Sequence, residues 1–317
     1  MVVDVHPVLE AAAQEPRTND PAPMRSAKTF PSYSYLHELM KQYQIKDLVA
    51  VDAKAFMERL EAFEMLDDPE SEGFVDASKQ NPVTVRFHWG HRHNFGEFSK
   101  PGRMGNHHIA VLATFIDELG AIPRSLQGMR VLDIGCWTGG TSLLLCAMGA
   151  EVVAVEEIKK YADCVDFLKF AFDVRSLGVR RMSLYDCTTE EFQDAFDLVL
   201  FPGVLHHLSD PKLALRITFN CLKDGGKCLV ETLSYDFDPH ITARRARAQT
   251  RNGTDAGEPW GWNWLLFTAS TLMQTMRDVG FVVSHPCTVV DNRTYVVGQR
   301  DRHVDMRRAG LSVRNIR

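Results

Sequence analysis

The chain has 317 residues, a formal net charge of −5 and 45% hydrophobic residues. This length is about twice that of a typical domain, so we expect one large core with an appendage. The composition is that of a globular protein without an apolar run of the roughly eighteen residues that a membrane span needs, which excludes fibrous, fully disordered and membrane-spanning classes. The acidic balance argues against a broadly basic nucleic-acid-binding surface but leaves a local basic patch open.

Cysteine usage and the N-terminus indicate the compartment. The seven cysteines are scattered without a C-x-x-C pair and lie mostly in apolar segments, where a thiol packs as a small hydrophobic group. The N-terminus lacks the basic region and apolar core of a secretory signal. We therefore expect a cytoplasmic protein with buried, reduced thiols.

The first third of the chain is predicted to contain a lead and a cap. Residues 1–30 are rich in Ala, Pro and polar residues without periodicity, which is typical of a mobile lead. Residues 31–110 are predicted to form a helical cap and a His-rich lid. Apolar residues recur at three and four over 33–49 and 53–66, which predicts two amphipathic helices, and the acidic excess over 46–76 would repel a phosphate backbone.

Residues 111–300 are predicted to form a Rossmann-like α/β domain. Buried strands are indicated by MRVLDIG, EVVAVE, FDLVLF and KCLVETL, with helices between them. This alternation predicts a doubly wound, seven-stranded, mostly parallel sheet beneath the N-terminal helical cap. A helix over TASTLMQTMRDVGF then precedes two strands, FVVSH and TYVVGQR, that close the sheet edge, and residues 301–317 form a basic C-terminal tail.

The segment from 131 to 156 carries the clearest ligand signal. A strand with Asp133 is followed by Gly135 and Gly139, which open a helix, and a second strand ends in Glu156. Glycines at such a turn let the backbone approach a ligand, and an acidic side chain at the second strand tip accepts hydrogen bonds from ribose hydroxyls. Trp137 and the Thr that follows it occupy positions where a pyrophosphate would need glycine, because it contacts the backbone closely. We therefore expect an adenosine without phosphates rather than a dinucleotide.

Four segments in order resemble the class I S-adenosylmethionine-dependent methyltransferases: DIGCWTGG, VVAVE, SLYDC and FDLVLFPGVLHHLSDP. The resemblance covers residues 131–235 and implies S-adenosyl-L-methionine as cofactor, with SLYDC as the third-strand segment near the adenine. Trp137 departs from the pattern, because the family usually has Gly there, and would either crowd or cover the methionine end of the cofactor. The implied cofactor-binding residues are Asp133, Gly135, Cys136, Trp137, Gly139, Glu156, Asp186, Cys187, Pro202 and Gly203.

Three further segments narrow the resemblance to one branch of that superfamily. GVLHHLSDP, LVETL and NWLLFTASTLMQTMRDVGF are similar to the branch that contains the tRNA wobble-uridine carboxymethyltransferases, with His206 in place of that branch's Tyr. Small-molecule methyltransferases share the branch, and the bacterial methionine S-methyltransferases are one candidate group. The resemblance thus implies a methyltransferase enzyme and leaves its acceptor open.

The stretch RFHWGHRHNFGEFSKPGRMGNHHI gathers histidines, aromatic residues and glycines. A metal site is disfavoured because no Cys pair or H-E-x-x-H helix accompanies the histidines. Two interpretations remain, a loop with ordinary hydrogen bonds and a glycine-hinged lid over cofactor and substrate, and we favour the lid. Its predicted substrate-binding residues are His88, Trp89, His91 and His93.

A second candidate lid lies between residues 240 and 267, where arginines precede three tryptophans. Arginine binds a carboxylate by paired hydrogen bonds and a Trp face attracts a sulfonium or ammonium, so the combination suits a small zwitterion or cation. The plain alternative is an exposed helix face followed by a packed aromatic cluster. With an RNA acceptor, the same arginines would contact phosphates. The predicted substrate-binding residues are Arg244, Trp260, Trp262 and Trp264.

The expected chemistry is an in-line methyl transfer, which requires alignment and exclusion of water rather than a nucleophilic residue. A hydroxyl or protonated amine acceptor needs a base, for which His206 and His207 are the predicted catalytic residues, whereas a thioether needs none. We favour a small-molecule acceptor, with a thioether amino acid such as methionine first, over tRNA and over a catalytically silent cofactor-binding protein. The sequence leaves the oligomeric state open, including a homodimer.

Overall fold

The computed structural model describes residues 30–65, 87–208, 210–234, 248–250, 265–283, 287–290 and 292–303. The helices of these residues are α1 (Pro31–Leu39), α2 (Ala53–Met65), α3 (His107–Ala113), α4 (Gly140–Ala147), α5 (Lys159–Ala171), α6 (Pro211–Cys221) and α7 (Ala269–Val279). The strands are β1 (His93–Asn94), β2 (Ser99–Lys100), β3 (Arg130–Ile134), β4 (Glu151–Glu156), β5 (Leu177–Arg181), β6 (Phe196–Pro202), β7 (Leu222–Leu233), β8 (Ala248–Thr250), β9 (Leu265–Phe267), β10 (Thr288–Val290) and β11 (Arg293–Gln299).

Seven of these strands form one sheet in the order β10-β11-β7-β6-β3-β4-β5. Strands β3 to β7 are mutually parallel, and β11 is antiparallel to β7 and to β10. Successive residues of β3 belong to two different core clusters, Val131 with Leu143 of α4 and Leu132 with Leu215 of α6. Both faces of the sheet are therefore covered by helices, which confirms the predicted doubly wound α/β architecture.

The N-terminal cap shares the core on one face of the sheet. Leu36 of α1 and Phe56 of α2 are fully buried in the same cluster as the α4 and α5 side chains. The ring centroid of Phe56 lies 5.0 Å from that of Phe95 and 5.5 Å from that of Phe172. Tyr43 Oη donates a buried hydrogen bond of 2.9 Å to the Leu143 carbonyl. The cap is thus built into the domain core rather than appended to it.

Two predicted elements in the first half of the chain differ from the structure. The helix predicted over 33–49 ends at Leu39, and two short 3-10 turns follow it. The SLYDC segment is not the third strand, which is β5. Leu184–Asp186 instead form a 3-10 helix after β5, where the Ser183 hydroxyl accepts a hydrogen bond from the Tyr185 amide. A serine placed just before the turn thus caps it and ends the extended backbone.

The strand predicted over FVVSH is also not found in residues 281–283, the part of this segment that the structure describes. There Val282 makes only an isolated bridge to Gln299, and the edge strand of the sheet is β10. Phe281 and Val283 are buried in the cluster that contains Met276 of α7. The apolar character of this segment therefore serves to pack α7 onto the sheet rather than to pair a strand.

All seven cysteines are free. Five are buried, and Cys146 and Cys287 are half-buried. Within the described ranges, no helix combines the length and apolarity needed to cross a bilayer.

We expect Phe56→Ala to lower the free energy of unfolding by about 3–5 kcal/mol, because it removes a fully buried ring from the shared core. Urea unfolding monitored by tryptophan fluorescence and by far-ultraviolet circular dichroism should give one coincident transition. Phe170→Ala is the control, since that ring is 58% exposed and its loss should cost about 0.5 kcal/mol or less. Two separate transitions in the native protein would contradict a core shared by cap and sheet.

Candidate active site

The candidate site lies where the carboxyl ends of β3, β4 and β6 meet at one edge of the sheet. The loop after β3 has left-handed backbone at Gly135 (φ 70°) and at Gly139 (φ 79°), and Gly139 directly precedes α4. A Cβ on Gly135 would lie 2.3 Å from Val204 Cγ2 in the loop after β6. Glycine therefore lets the two loops touch and forms a turn whose backbone is open to a ligand.

Glu156 ends β4 and fixes this loop. Glu156 is 7% exposed, and its carboxyl group accepts backbone hydrogen bonds of 2.9 Å from Trp137 and 3.0 Å from Ile158. Burial raises the pKa of Glu156 to about 7, against the lowering effect of these two bonds. A carboxylate has about four acceptor positions, so Glu156 can hold the loop and still accept from ribose hydroxyls.

Asp133 is the second buried acid of the site. Its Oδ2 accepts a hydrogen bond of 2.6 Å from Ser142 Oγ, whereas its Oδ1 is buried without a hydrogen-bond partner among the described residues. Burial raises the pKa of Asp133 to about 7. Because an unpartnered buried oxygen is costly, a ligand cation would relieve it. With Glu156, this oxygen fits S-adenosyl-L-methionine, which carries an ammonium group and ribose hydroxyls.

Trp137 joins the cofactor loop to the His-rich segment, residues 87–108. Its backbone is left-handed (φ 52°), which is rare for a Trp. A Cβ on Gly90 would lie 2.1 Å from Cδ2 of the indole, so the ring packs directly on the Gly90 backbone. The rings of His88 and His91 flank it, each with its centroid 5.4 Å away. The indole therefore lies against the segment that covers the loop.

A second contact holds the His-rich segment on the same loop. The His91 amide donates a hydrogen bond of 3.0 Å to Thr138 Oγ1, and a Cβ on Gly140 would lie 2.6 Å from His91 Cβ. His88 Nδ1 lies 3.2 Å from Tyr161 Oη on α5. Trp89 is buried. In this conformation the segment is closed on the cofactor loop, and its movement as a lid stays a prediction.

The interior imidazoles of the His-rich segment are neutral. Burial lowers the pKa of His91 to about 3 and that of His93 to about 4, and it holds the pKa of His108 well below the usual value. Both ring nitrogens of His93 and of His108 are buried without a hydrogen-bond partner among the described residues. In the part of the chain that the structure describes, no group of three or more His, Cys, Asp or Glu side chains is placed to hold a metal.

The remaining predicted cofactor residues lie along the same edge. Cys136 is buried in the loop, and its amide donates to the Val155 carbonyl. Asp186 is exposed in the 3-10 helix after β5, next to the buried Cys187. Pro202 ends β6, and the Gly203 amide donates a hydrogen bond of 2.9 Å to the Glu231 carbonyl. All ten predicted cofactor residues thus belong to described elements, while their contacts with a cofactor stay predictions.

His206 and His207 form a 3-10 turn after β6. His206 is 2% exposed, and its Nδ1 lies 2.9 Å from Thr232 Oγ1 and 3.4 Å from the Leu233 amide nitrogen. Burial, followed by the charges of His207 and Arg293, lowers the pKa of His206 well below its usual value. His206 is therefore neutral and bonded to β7, and the catalytic roles of both histidines stay predictions.

A buried charge cluster beside this turn was not predicted from the sequence. Glu231 of β7 is fully buried, with its Oε1 3.1 Å from Arg293 Nη1 and 3.5 Å from His107 Nε2. Burial alone would raise the pKa of Glu231, but Arg293 and His107 hold it at about 2. The signal in the sequence was an acid inside the apolar strand LVETL. The predicted residues Arg244, Trp260, Trp262 and Trp264 lie outside the described residues.

Comparisons with known proteins agree with this geometry. The family model "Methyltransferase domain" matches residues 104–285. A tRNA U34 carboxymethyltransferase of Campylobacter hominis is 30% identical over 156 residues, which cover 45% of this chain and 52% of that protein. A ubiquinone biosynthesis O-methyltransferase of Xanthomonas euvesicatoria is 31% identical over 109 residues, or 34% of this chain and 45% of that protein. The chain spans about half the length of these curated relatives.

A solved structure described as a SAM dependent methyltransferase from Aquifex aeolicus is also similar to this chain. It has a TM-score of 0.44 and 16% sequence identity, and the match covers 57% of this chain and 87% of that one.

We expect Glu156→Ala to weaken binding of S-adenosyl-L-methionine by about 2–3 kcal/mol at pH 8, the scale of charge-assisted hydrogen bonds to two hydroxyls. Titration calorimetry measures it. Because the pKa of Glu156 is about 7 and the ionised form accepts the hydroxyl protons, affinity should fall as the pH drops from 8 to 6, with a weaker fall in Glu156→Gln. Glu151→Ala, at the exposed opposite end of β4, is the control. Unchanged affinity in a folded Glu156→Ala protein would show that Glu156 does not bind the cofactor.

We expect Gly90→Ala to destabilise the native protein by about 1–3 kcal/mol, because the added methyl group would overlap the Trp137 ring. In a Trp137→Ala background the same change should cost about 0.5 kcal/mol or less. Urea unfolding of the native protein, the two single variants and the double variant completes a double-mutant cycle and gives the coupling free energy between the two residues. Additive effects would show that the two residues do not pack on each other in solution.

Proposed function

The chain belongs to the methyltransferase-domain family, and we propose that it transfers the methyl group of S-adenosyl-L-methionine to a small-molecule acceptor. The family model covers more than half of the chain, from residue 104 to residue 285. The matched region contains the glycine loop, both buried acids and the turn after β6. The proposal concerns the acceptor, which family membership leaves open.

The closure of the His-rich segment on the cofactor loop carries this proposal. Gly90 packs on the Trp137 ring and the His91 amide bonds to Thr138, so buried aromatic side chains cover the loop from one side. Methyl transfer benefits from a site that excludes water. A small acceptor fits such an enclosed edge, and the net charge of −5 gives no general attraction for a polyanion.

The side chains of the site supply orientation rather than covalent chemistry. The cofactor supplies a methyl group on a sulfonium sulfur, which becomes neutral when the methyl group leaves. Glu156 would hold the ribose and Asp133 the ammonium group, and the loop after β6 would face the methyl end. The His-rich segment would keep water from this end. Alignment of donor and acceptor then accounts for most of the rate enhancement.

The acceptor atom is the finer part of the proposal. A thioether such as that of methionine would need no base, but neither curated relative described above is named for transfer to sulfur. The relative from Xanthomonas euvesicatoria is named an O-methyltransferase. An acceptor oxygen, or by the same chemistry a nitrogen, is therefore better supported than a thioether, and it requires a base.

Transfer to tRNA is the second candidate. It is favoured by the 30% identity to a tRNA U34 carboxymethyltransferase, which extends over 156 residues. Arg302, a member of the predicted basic tail, is exposed. The predicted loop with the arginines that would contact RNA phosphates lies outside the described residues. The following experiment therefore distinguishes the two candidates.

We expect methyl-labelled cofactor to transfer its label to the small-molecule fraction of a cell extract and not to total tRNA. Turnover should change little between 50 and 200 mM salt, whereas a tRNA-binding enzyme that contacts several phosphates would lose affinity by about 10³-fold or more. Glu156→Ala assayed at low cofactor concentration is the control for transfer at this site. Label in tRNA with steep salt dependence would overturn the small-molecule proposal and support the second candidate.

A further inference from the structure

The space beside Gly203 is bordered by charged groups. Gly203 follows β6 in left-handed backbone (φ 70°), and a Cβ built on it would meet no atom closer than 3.9 Å. The nearest groups at that distance are Arg293 Nη1 and Glu231 Oε2. The turn after β6 therefore has room for a Cβ at Gly203, in van der Waals contact with a guanidinium and a carboxylate.

Glu231 is anionic in this position. It is fully buried, and its Oε1 is 3.1 Å from Arg293 Nη1. A buried carboxylate with one close cation retains acceptor capacity on its other lone pairs. An imidazole nitrogen held close to such a carboxylate favours the tautomer that carries its proton on that nitrogen.

His107 supplies that imidazole. It is the first residue of α3, and its own amide donates a hydrogen bond of 2.9 Å to the Met104 carbonyl, which fixes the start of the helix. Its Nε2 lies 3.5 Å from Glu231 Oε1, and its side chain is 18% exposed. His107 thus reaches from the end of the His-rich segment to Glu231 of β7, whose Oε2 lies near Gly203.

We propose that His107 is the base that accepts the proton of an O–H or N–H acceptor bound beside Gly203, with Glu231 as its positioning residue. This inference rests on the proposed function. As the acceptor atom forms its bond to the methyl carbon, its proton passes to Nδ1 of His107, and the electron pair of the broken sulfur–carbon bond stays on the sulfur. The imidazolium that forms lies beside the Glu231 carboxylate and returns its proton to solvent.

The surroundings favour His107 over His108 and His206. The charged and titratable groups around it are Glu231 of β7, Arg293 of β11, His108 of α3 and the imidazoles of His91 and His93. Arg293 balances Glu231, and the buried imidazoles of this group are neutral. His107 is partly exposed, whereas His108 and His206 are 2% exposed. Moreover, the Nδ1 of His206 is already engaged by β7.

The tautomer of His107 tests the positioning step without any acceptor. Nitrogen-15 NMR of the full-length, cofactor-saturated protein with labelled histidine should show the neutral form of His107 with its proton on Nε2 rather than on Nδ1. His107→Gln identifies its signal, and Glu231→Gln should change the tautomer ratio. A native protein with His107 protonated at Nδ1 would overturn the proposal even where a variant fails to fold.

The catalytic step is tested with catechol, ethanolamine and methionine as acceptor probes beside the small-molecule extract. We expect label on an oxygen or nitrogen, a fall in kcat of about 100-fold or more in His107→Ala with KM changed less than about threefold, and partial recovery with added imidazole. His303→Gln, which alters an exposed histidine, is the matched control and should keep native turnover.

The outcomes separate the two proposals. Label on methionine, or native kcat in His107→Ala, would overturn the role of His107 and leave a small-molecule methyltransferase. Transfer to tRNA alone would overturn the proposed function, and the NMR tautomer would still decide whether Glu231 positions His107.

Discussion

The hydrogen bonds that the Glu156 carboxyl group accepts from Trp137 and Ile158 organise the whole candidate site. They hold a tryptophan in left-handed backbone, a conformation that persists only where the surroundings over-determine it. The indole is thereby directed onto Gly90, and this contact holds the His-rich segment against the loop. The same carboxyl group is the predicted acceptor for the ribose hydroxyls, so the proposed cofactor recognition and the shape of the loop would depend on one buried acid.

The cap contributes to this arrangement through packing rather than through contact with a ligand. Phe56 and Phe95 join the cap and the His-rich segment in the cluster that also contains the helices below the sheet edge. Because protein interiors are close-packed, a shift of the cap would be transmitted to Trp137 and to the loop between β3 and α4 that contains it.

The features predicted correctly from the sequence are those whose signal is local. Apolar runs separated by amphipathic helices define the parallel sheet, and the spacing from Asp133 to Glu156 requires only one strand-helix-strand unit. The packing of Gly90 on Trp137 and the cluster of His107, Glu231 and Arg293 join distant parts of the chain. The periodicity of a sequence does not indicate such contacts. FVVSH was mistaken for a strand because burial against a helix and pairing in a sheet favour the same residues.

The placement of β11 has a consequence for synthesis of the protein. This strand pairs with β7 in the interior of the sheet, yet it comes after all the other strands that the structure describes. Until residues 293–299 leave the ribosome, β7 presents an unpaired edge and Glu231 lacks the cation that stabilises its charge in the interior. The nascent chain therefore carries this unpaired edge until β11 is made, and the ion pair of Glu231 with Arg293 can form only then.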